Sequence, residues 1–134
     1  MAVSRANAIF RKDIESVWAV VTSLKDFSWR SDLCRIEILD ENQFIEYTTQ
    51  GYATTFTTTV YESCKRWEFD MENGNMKGHW TGIFTQTSGH AEVELIEDVT
   101  AKKLILKPFV KAYIKKQQAL YIRDLTRKME SLGE

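Results

Sequence analysis

The sequence predicts an α+β domain in which a curved antiparallel sheet of six to seven strands packs against one long C-terminal helix. Between residues 35 and 96, apolar and polar residues alternate repeatedly, the spacing of strands with one buried face. The dipeptides Asn73-Gly74 and Ser88-Gly89 separate such segments and favour hairpin turns. After Pro108, no Gly or Pro occurs before Leu132, and apolar residues return at helical spacing.

The length and composition of the chain fit a single domain over residues 1–134. Hydrophobic residues make up 43% and charged residues 28%, which argues against disorder. No apolar run approaches the roughly 20 residues needed to span a bilayer. The first seven residues lack the apolar segment of a secretory signal. Two cysteines, Cys34 and Cys64, favour a reducing compartment, so we expect a cytoplasmic protein.

The N-terminal segment predicts one strand followed by two short helices. Residues 3–11 alternate weakly and predict the first strand. Asp13 is placed to cap a helix, because its carboxylate can accept hydrogen bonds from free amides of the first turn. Four apolar residues behind it share one helical face: Ile14, Val17, Trp18 and Val21. Residues 24–32 predict a second short helical or irregular stretch.

The middle of the chain predicts an antiparallel meander. Strands are expected at residues 35–39, 44–49, 52–62, 66–72, 75–87 and 91–96. The clearest alternation places Trp67, Phe69 and Met71 on one face, with charged residues on the other. Asn73-Gly74 is expected to supply the positive φ of a tight turn between two of these strands.

The C-terminal segment predicts a helix of about 25 residues, roughly 37 Å long at 1.5 Å per residue. Pro108 suits the first turn of this helix. If the helix instead begins near Lys102, Pro108 should kink it.

Charge is distributed unevenly along the chain. Residues 1–100 contain 9 Lys and Arg against 16 Asp and Glu, a net charge of −7, whereas residues 101–134 contain 9 against 3, a net charge of +6. The total of −1 predicts no nucleic-acid partner. The C-terminal lysines either coat the solvent face of the helix or bind an anionic partner.

This order of elements, with Ile14-Glu15-Ser16-Val17-Trp18 and Trp29, resembles the helix-grip fold of the START-like (SRPBCC) superfamily. It is most similar there to the polyketide cyclase/dehydrase and lipid transport family, which includes pollen-allergen-type ligand carriers. Val17-Trp18, Asp26 and Trp29 match the family's opening pattern. Gly89-His90 stands where the family commonly has Gly-Thr. The resemblance implies a curved sheet wrapped around the long helix, with a cavity between them.

The predicted concave face supplies candidate ligand-binding residues. Aromatic rings, flexible methionines and a few polar groups are typical of a small-molecule pocket, although they are equally typical of a core. Gly78 and Gly82 either leave gaps beside the bulky rings or mark a bulge. Gln117 either offers a hydrogen bond to a ligand or is exposed. The candidates are Trp29, Tyr47, Phe56, Trp67, Phe69, Met71, Met76, Trp80, Phe84, Tyr113, Gln117 and Tyr121.

No cofactor or metal is expected. His79, His90 and the cysteines lack zinc-ligand spacing, and no phosphate-binding glycine motif occurs. We expect His79 on the solvent side and His90 at a turn. Glu46 and Glu68 are also expected to face water. The sequence identifies no catalytic residue.

Three functions remain open. The first is carriage or sensing of a small hydrophobic or aromatic molecule. The second is a polyketide cyclase/dehydratase-like enzyme, which a cavity group with a strongly shifted pKa would favour. The third is a protein-interaction module using the basic helix, which a core without a cavity would favour. Its basic residues are Lys111, Lys115, Lys116, Arg123, Arg127 and Lys128. The sequence does not decide between a monomer and a homodimer.

Overall fold

A seven-stranded, open antiparallel sheet forms most of the chain in a computed structural model that describes residues 2–132. The elements in chain order are β1 (Ala2–Phe10), α1 (Ile14–Thr22), β2 (Leu33–Ile38), β3 (Gln43–Thr48), β4 (Ala53–Glu62), β5 (Arg66–Glu72), β6 (Met76–Thr87), β7 (His90–Ala101), a 3₁₀ turn (Leu104–Phe109) and α2 (Val110–Ser131). The spatial strand order is β1-β7-β6-β5-β4-β3-β2, which leaves β1 and β2 at the edges. The predicted fold class is confirmed.

Only one of the two predicted short helices forms, α1. Residues 23–32 make turns, because local polar groups compete for backbone hydrogens that a helix would use. The Ser23 hydroxyl oxygen accepts from the amide of Asp26 at 3.1 Å, and the carbonyl of Phe27 accepts from the amide of Arg30 at 2.9 Å. This irregular segment, which we call the 23–32 loop, covers one end of the sheet.

Two predicted turn and cap details differ from the structure. Asp13 occupies the N-cap position of α1 but makes no side-chain cap hydrogen bond. Instead, the Gln86 side-chain oxygen accepts from the amide of Ile14 at 2.8 Å. Gly74 does not adopt a positive φ. The β5–β6 hairpin is closed by the Asn73 side chain, whose oxygen accepts from the amides of Asn75 and Met76 at 2.8 and 2.9 Å.

The helix α2 begins after Pro108, which lies inside the preceding 3₁₀ turn. Its 22 residues span about 33 Å. It packs on β1 and β7 through apolar residues such as Leu125 and Met129. A buried polar pair fixes its position: the Ser4 hydroxyl donates to the Gln118 side-chain oxygen at 2.8 Å, and the Gln118 amide donates to the carbonyl of Ser4 at 3.0 Å.

The core lies between α1, α2 and the inner face of the sheet. Trp18 of α1 packs edge-on against Phe84, with ring centres 4.8 Å apart. Further along the sheet, Phe44 stacks on Phe56 at 5.0 Å. Because α2 packs mainly on β1 and β7, it leaves space above the central strands.

Candidate ligand-binding cavity

A cavity of about 170 Å³ lies between α2, the 23–32 loop and strands β2 to β7. Ten of the twelve candidate residues line it: Trp29, Phe56, Trp67, Phe69, Met71, Met76, Trp80, Tyr113, Gln117 and Tyr121. Three lining residues, Glu72, Lys77 and Tyr113, are exposed and mark its mouth. The space above the sheet is therefore only partly filled by side chains.

Two candidate residues lie elsewhere. Tyr47 points to the outer face of β3, where its hydroxyl donates to Glu37 at 2.9 Å and Arg35 lies 4.3 Å from the ring centre. Phe84 is buried under α1 against Trp18, outside the cavity lining. Phe84 shares a face with Trp80, but α1 fills the space above it.

Aromatic rings form the floor of the cavity. Trp80 stacks on Phe69, with ring centres 4.6 Å apart and planes 3° apart. Trp67 meets both rings edge-on at 5.8 and 5.1 Å. On the opposite wall, Tyr121 of α2 packs edge-on against Trp29 at 5.3 Å.

The two glycines of β6 have different roles, and neither marks a bulge, since the β6–β7 register is continuous. The indole of Trp80 folds over Gly82, where a Cβ would lie 2.7 Å from the ring. At Gly78 a Cβ would lie 2.6 Å from the backbone oxygen of Asp98 in the neighbouring strand. Gly82 thus makes room for a ring and Gly78 for the adjacent backbone.

A partly buried ion-pair cluster lies beside the aromatic floor. Arg30 is only 14% exposed, and its Nε and Nη2 each donate to the Asp32 carboxylate at 3.1 Å. Its Nη1 lies 3.4 Å from a carboxylate oxygen of Glu46. The guanidinium also lies 4.9 Å from the centre of the Tyr121 ring. Sequence reasoning missed Arg30 and Asp32 because the 23–32 loop has no periodicity to indicate an inward face.

The expectation that Glu46 faces water is wrong. Phe44 pairs with Phe56 of β4, which turns the even-numbered residues of β3 inward and buries Glu46 to 16% exposure. In β3, apolar residues occur at both even and odd positions, so the sequence pattern does not decide which face of the strand points inward. Glu68 is also only 17% exposed, but it lies on the outer face beside His79.

Burial governs the protonation of the cavity groups. Burial alone would lower the pKa of Arg30, but the charges of Glu46 and Asp32 more than offset this and raise it. Burial raises the pKa of Glu46 despite the attraction of Arg30. Burial likewise raises the pKa of Tyr121. Arg30 therefore stays charged within the cavity wall.

Glu97 of β7 is a second carboxyl that sequence reasoning missed. It lies on the same face as Leu95 and Val99 and lines the cavity beside Trp80, its register partner in β6. Burial raises its pKa to about 7; Arg30 opposes the rise and Glu46 adds to it. Extending the predicted alternation of residues 91–95 by two positions would have placed it on the inner face.

Two interactions hold the 23–32 loop against the cavity. The buried carboxylate of Asp124 accepts from the amide and hydroxyl of Ser31, each at 2.8 Å. The carbonyl of Asp32 accepts from the amide of Thr49 at 3.0 Å. Within residues 2–132, the buried indole nitrogen of Trp29 has no hydrogen-bond partner.

The remaining candidates for chemistry lie outside the cavity. His79 faces outward, as expected, and its ring nitrogens lie 2.7 Å from Asp70 and from Glu68. His90 lies at the β6–β7 turn. Among the described residues, no group of three His, Cys, Asp or Glu is arranged to hold a metal ion. No helix within that range is long and apolar enough to cross a bilayer.

Comparison with known proteins identifies the fold. The sequence matches no protein-family model and no curated protein. Its structure is similar to a START superfamily protein from Mycobacterium smegmatis, with a TM-score of 0.84, 15% identity, and coverage of 98% of this chain and 99% of that one. A conserved protein from Geobacillus kaustophilus gives a TM-score of 0.81 at 10% identity, covering 96% and 95%.

A third similar structure is DynU16, a protein of the dynemicin biosynthetic locus. Its TM-score is 0.76 at 12% identity, and the match covers 97% of this chain but 48% of DynU16. At such identities these likenesses establish the fold alone. The chain therefore has the START-like helix-grip fold, as the resemblance in sequence implied.

Proposed function

We propose that this protein binds a small aromatic molecule, for carriage or sensing, in the cavity between its sheet and α2. The observation that carries the proposal is the cavity itself: about 170 Å³ of space with a floor of aromatic rings and a buried polar cluster on one wall. Small-molecule sites combine these features, because apolar walls supply affinity and a few polar groups fix orientation.

Native mass spectrometry of the protein purified from its own host tests this proposal. We expect a retained small molecule that leaves on denaturation. Ile36→Trp adds bulk at a lining position and should exclude the guest. Ile38→Trp is the matched control, because Ile38 lies in the same strand and is 47% exposed. Retention that is equal in both variants would contradict the proposal.

A second candidate, a cyclase- or dehydratase-like enzyme acting on a small aromatic or polyketide-type substrate, is favoured by Glu97. A carboxyl whose pKa is about 7 can exchange a proton at neutral pH. The membership of DynU16 in a biosynthetic locus is consistent with this class. Both candidates first require a guest in the cavity, so binding is the more general conclusion. Release of the host guest with one water fewer, lost in Glu97→Gln, would establish the enzyme.

A third candidate, an interaction surface, is favoured by exposed apolar residues next to the basic helix. Leu104, Ile105 and Phe109 are 79%, 76% and 64% exposed. Lysines flank them in sequence at 102, 103, 107 and 111. Replacing the three apolar residues with Ser should leave cavity binding unchanged and remove any partner that copurifies. A partner that still copurifies would exclude this surface.

A further inference from the structure

Within residues 2–132, Arg30 is the one arginine that lines the cavity, and carboxylates of the protein already pair with it. Three guanidinium nitrogens of Arg30 face two carboxylates, Asp32 at 3.1 Å through two atoms and Glu46 at 3.4 Å. A bidentate pair of this kind is among the stronger hydrogen-bonded contacts in proteins. Asp32 and Glu46 already neutralise the guanidinium charge, so an anionic guest would meet two carboxylates beside one cation.

Glu97, in contrast to Arg30, has no side-chain partner among the described residues. It lines the cavity, and no side chain in residues 2–132 forms a hydrogen bond or an ion pair with it. Glu97 is half-buried, and withdrawing a carboxylate from water without a partner is costly. Burial raises the pKa of Glu97 to about 7, and the charge of Arg30 offsets only part of this rise. A guest with a positive charge or a hydrogen-bond donor would supply what is missing.

The charges that face Glu97 favour a cation. One guanidinium, Arg30, stands against the three carboxyl groups of Asp32, Glu46 and Glu97. When Glu97 is ionised, these groups carry a net negative charge even if Glu46 is protonated. At the mouth, Glu72 already pairs with Lys102 at 2.7 Å, so Lys77 adds a positive charge there. The preference for a cation over a carboxylate or phosphate is therefore confined to the inner part of the cavity beside Glu97.

The aromatic rings provide a surface for the same charge. Trp80 is the direct register partner of Glu97, and its ring centre lies 6.4 Å from that of Tyr121. Tyr121 already lies against one cation, the Arg30 guanidinium. Ring faces attract a desolvated cation through the negative charge of the π system. An ammonium group beside Glu97 would thus have a carboxylate and aromatic faces as neighbours.

From these observations we infer that the guest is a small aromatic amine whose ammonium group pairs with Glu97 while its ring packs on Trp80 and Phe69. This inference rests on the proposed binding function and names the class of its ligand. The cavity volume limits the guest to a single ring with a short side chain, since a cavity of about 150 Å³ accommodates benzene.

Three probes with the same ring and similar chain length test the inference: 2-phenylethylamine, 2-phenylethanol and 3-phenylpropionate. Their affinities are measured by calorimetry and by protein chemical-shift titration at neutral pH. We expect the amine to bind about tenfold more tightly than the alcohol, and the carboxylate to bind most weakly. An alcohol that binds as tightly as the amine would overturn the amine assignment and leave the proposed binding function standing.

Glu97→Gln provides the residue-specific test, because it removes the charge and keeps the shape. We expect the amine-to-alcohol affinity ratio to fall close to one. The matched control is Glu94→Gln on the same strand, where the Glu94 side chain is 40% exposed. A ratio unchanged in Glu97→Gln would refute the pairing. If none of the three probes binds the native protein, both the inference and the proposed binding of single-ring guests are overturned.

Discussion

Gly82 lies beneath the indole of Trp80, so replacing it with alanine tests whether that ring forms the cavity floor. The new Cβ would lie 2.7 and 2.8 Å from two atoms of the indole and 3.3 Å from the Phe84 ring. The two indole atoms are at the far end of the side chain, so the ring can move. The free space beside it is the cavity, and we expect the ring to shift into that space.

The size of the effect follows from two opposing contributions. Overpacking a core costs about 1–3 kcal/mol. Replacing glycine with alanine within a strand recovers about 0.5–1 kcal/mol, because the unfolded chain loses freedom. Gly82→Ala should therefore lower the free energy of unfolding by up to about 2.5 kcal/mol and weaken binding of 2-phenylethanol, because the displaced ring occupies the site.

Guanidinium denaturation and calorimetric titration measure these two effects. Gly74→Ala is the control, because a Cβ there meets no atom within 4 Å and Gly74 has no positive φ. If the two variants unfold at the same denaturant concentration and bind the probe equally, Trp80 does not rest on Gly82 as described. The same measurements would separate a loss of stability alone from a loss of the cavity.

Three further predictions follow from buried polar groups. Because the pKa of Glu97 rises from 4.5 to about 7 on folding, its ionisation destabilises the fold as pH rises through that window. The free energy of unfolding of Glu97→Gln, measured by urea titration, should therefore rise relative to that of the native protein by about 3 kcal/mol between about pH 4.5 and pH 8. A difference between the two proteins that is the same at both pH values would refute this. Arg30→Met leaves two partly buried carboxylates without their cation and should lower the free energy of unfolding by up to about 3–5 kcal/mol. Arg35→Met, at an exposed site, should lower it by less than about 1 kcal/mol, and similar losses in the two variants would contradict the ion-pair cluster. Ser4→Ala leaves the Gln118 oxygen unpaired and should cost about 1–3 kcal/mol by thermal or chemical denaturation, and a neutral result would contradict the hydrogen bond between β1 and α2.

Strand periodicity predicted most of the fold because the sheet buries one face. Trp67 and Phe69 alternate with charged residues, so their inward direction followed from the sequence alone. In β3 the same reasoning failed for Glu46 and Tyr47. Apolar residues occur at both even and odd positions of β3. Only the pairing of Phe44 with Phe56 in the sheet decides which face is buried.

The polar part of the candidate site was harder to predict, for two different reasons. Arg30 lies in the 23–32 loop, whose position depends on the long-range contact between Ser31 and Asp124. Local sequence patterns do not indicate a contact between residues so far apart in the chain. Glu97 lies in a regular strand, and a longer alternation would have placed it inward. Because Glu97 is charged, it breaks the run of apolar residues on that face, and the predicted strand therefore ended at residue 96.

The sequence alone determined the succession of strands, the long terminal helix and the aromatic character of the inner face. These features depend on local periodicity, which neighbouring residues specify directly. Only the tertiary structure decided that α2 packs toward β1 and β7 and leaves a cavity, and that Arg30, Asp32, Glu46 and Glu97 line it. Arg30 and Glu97 lie about half the chain apart in sequence. They share one environment because the 23–32 loop folds over the sheet; burial there raises the pKa of Glu97, and the charges of Glu46 and Asp32 raise the pKa of Arg30.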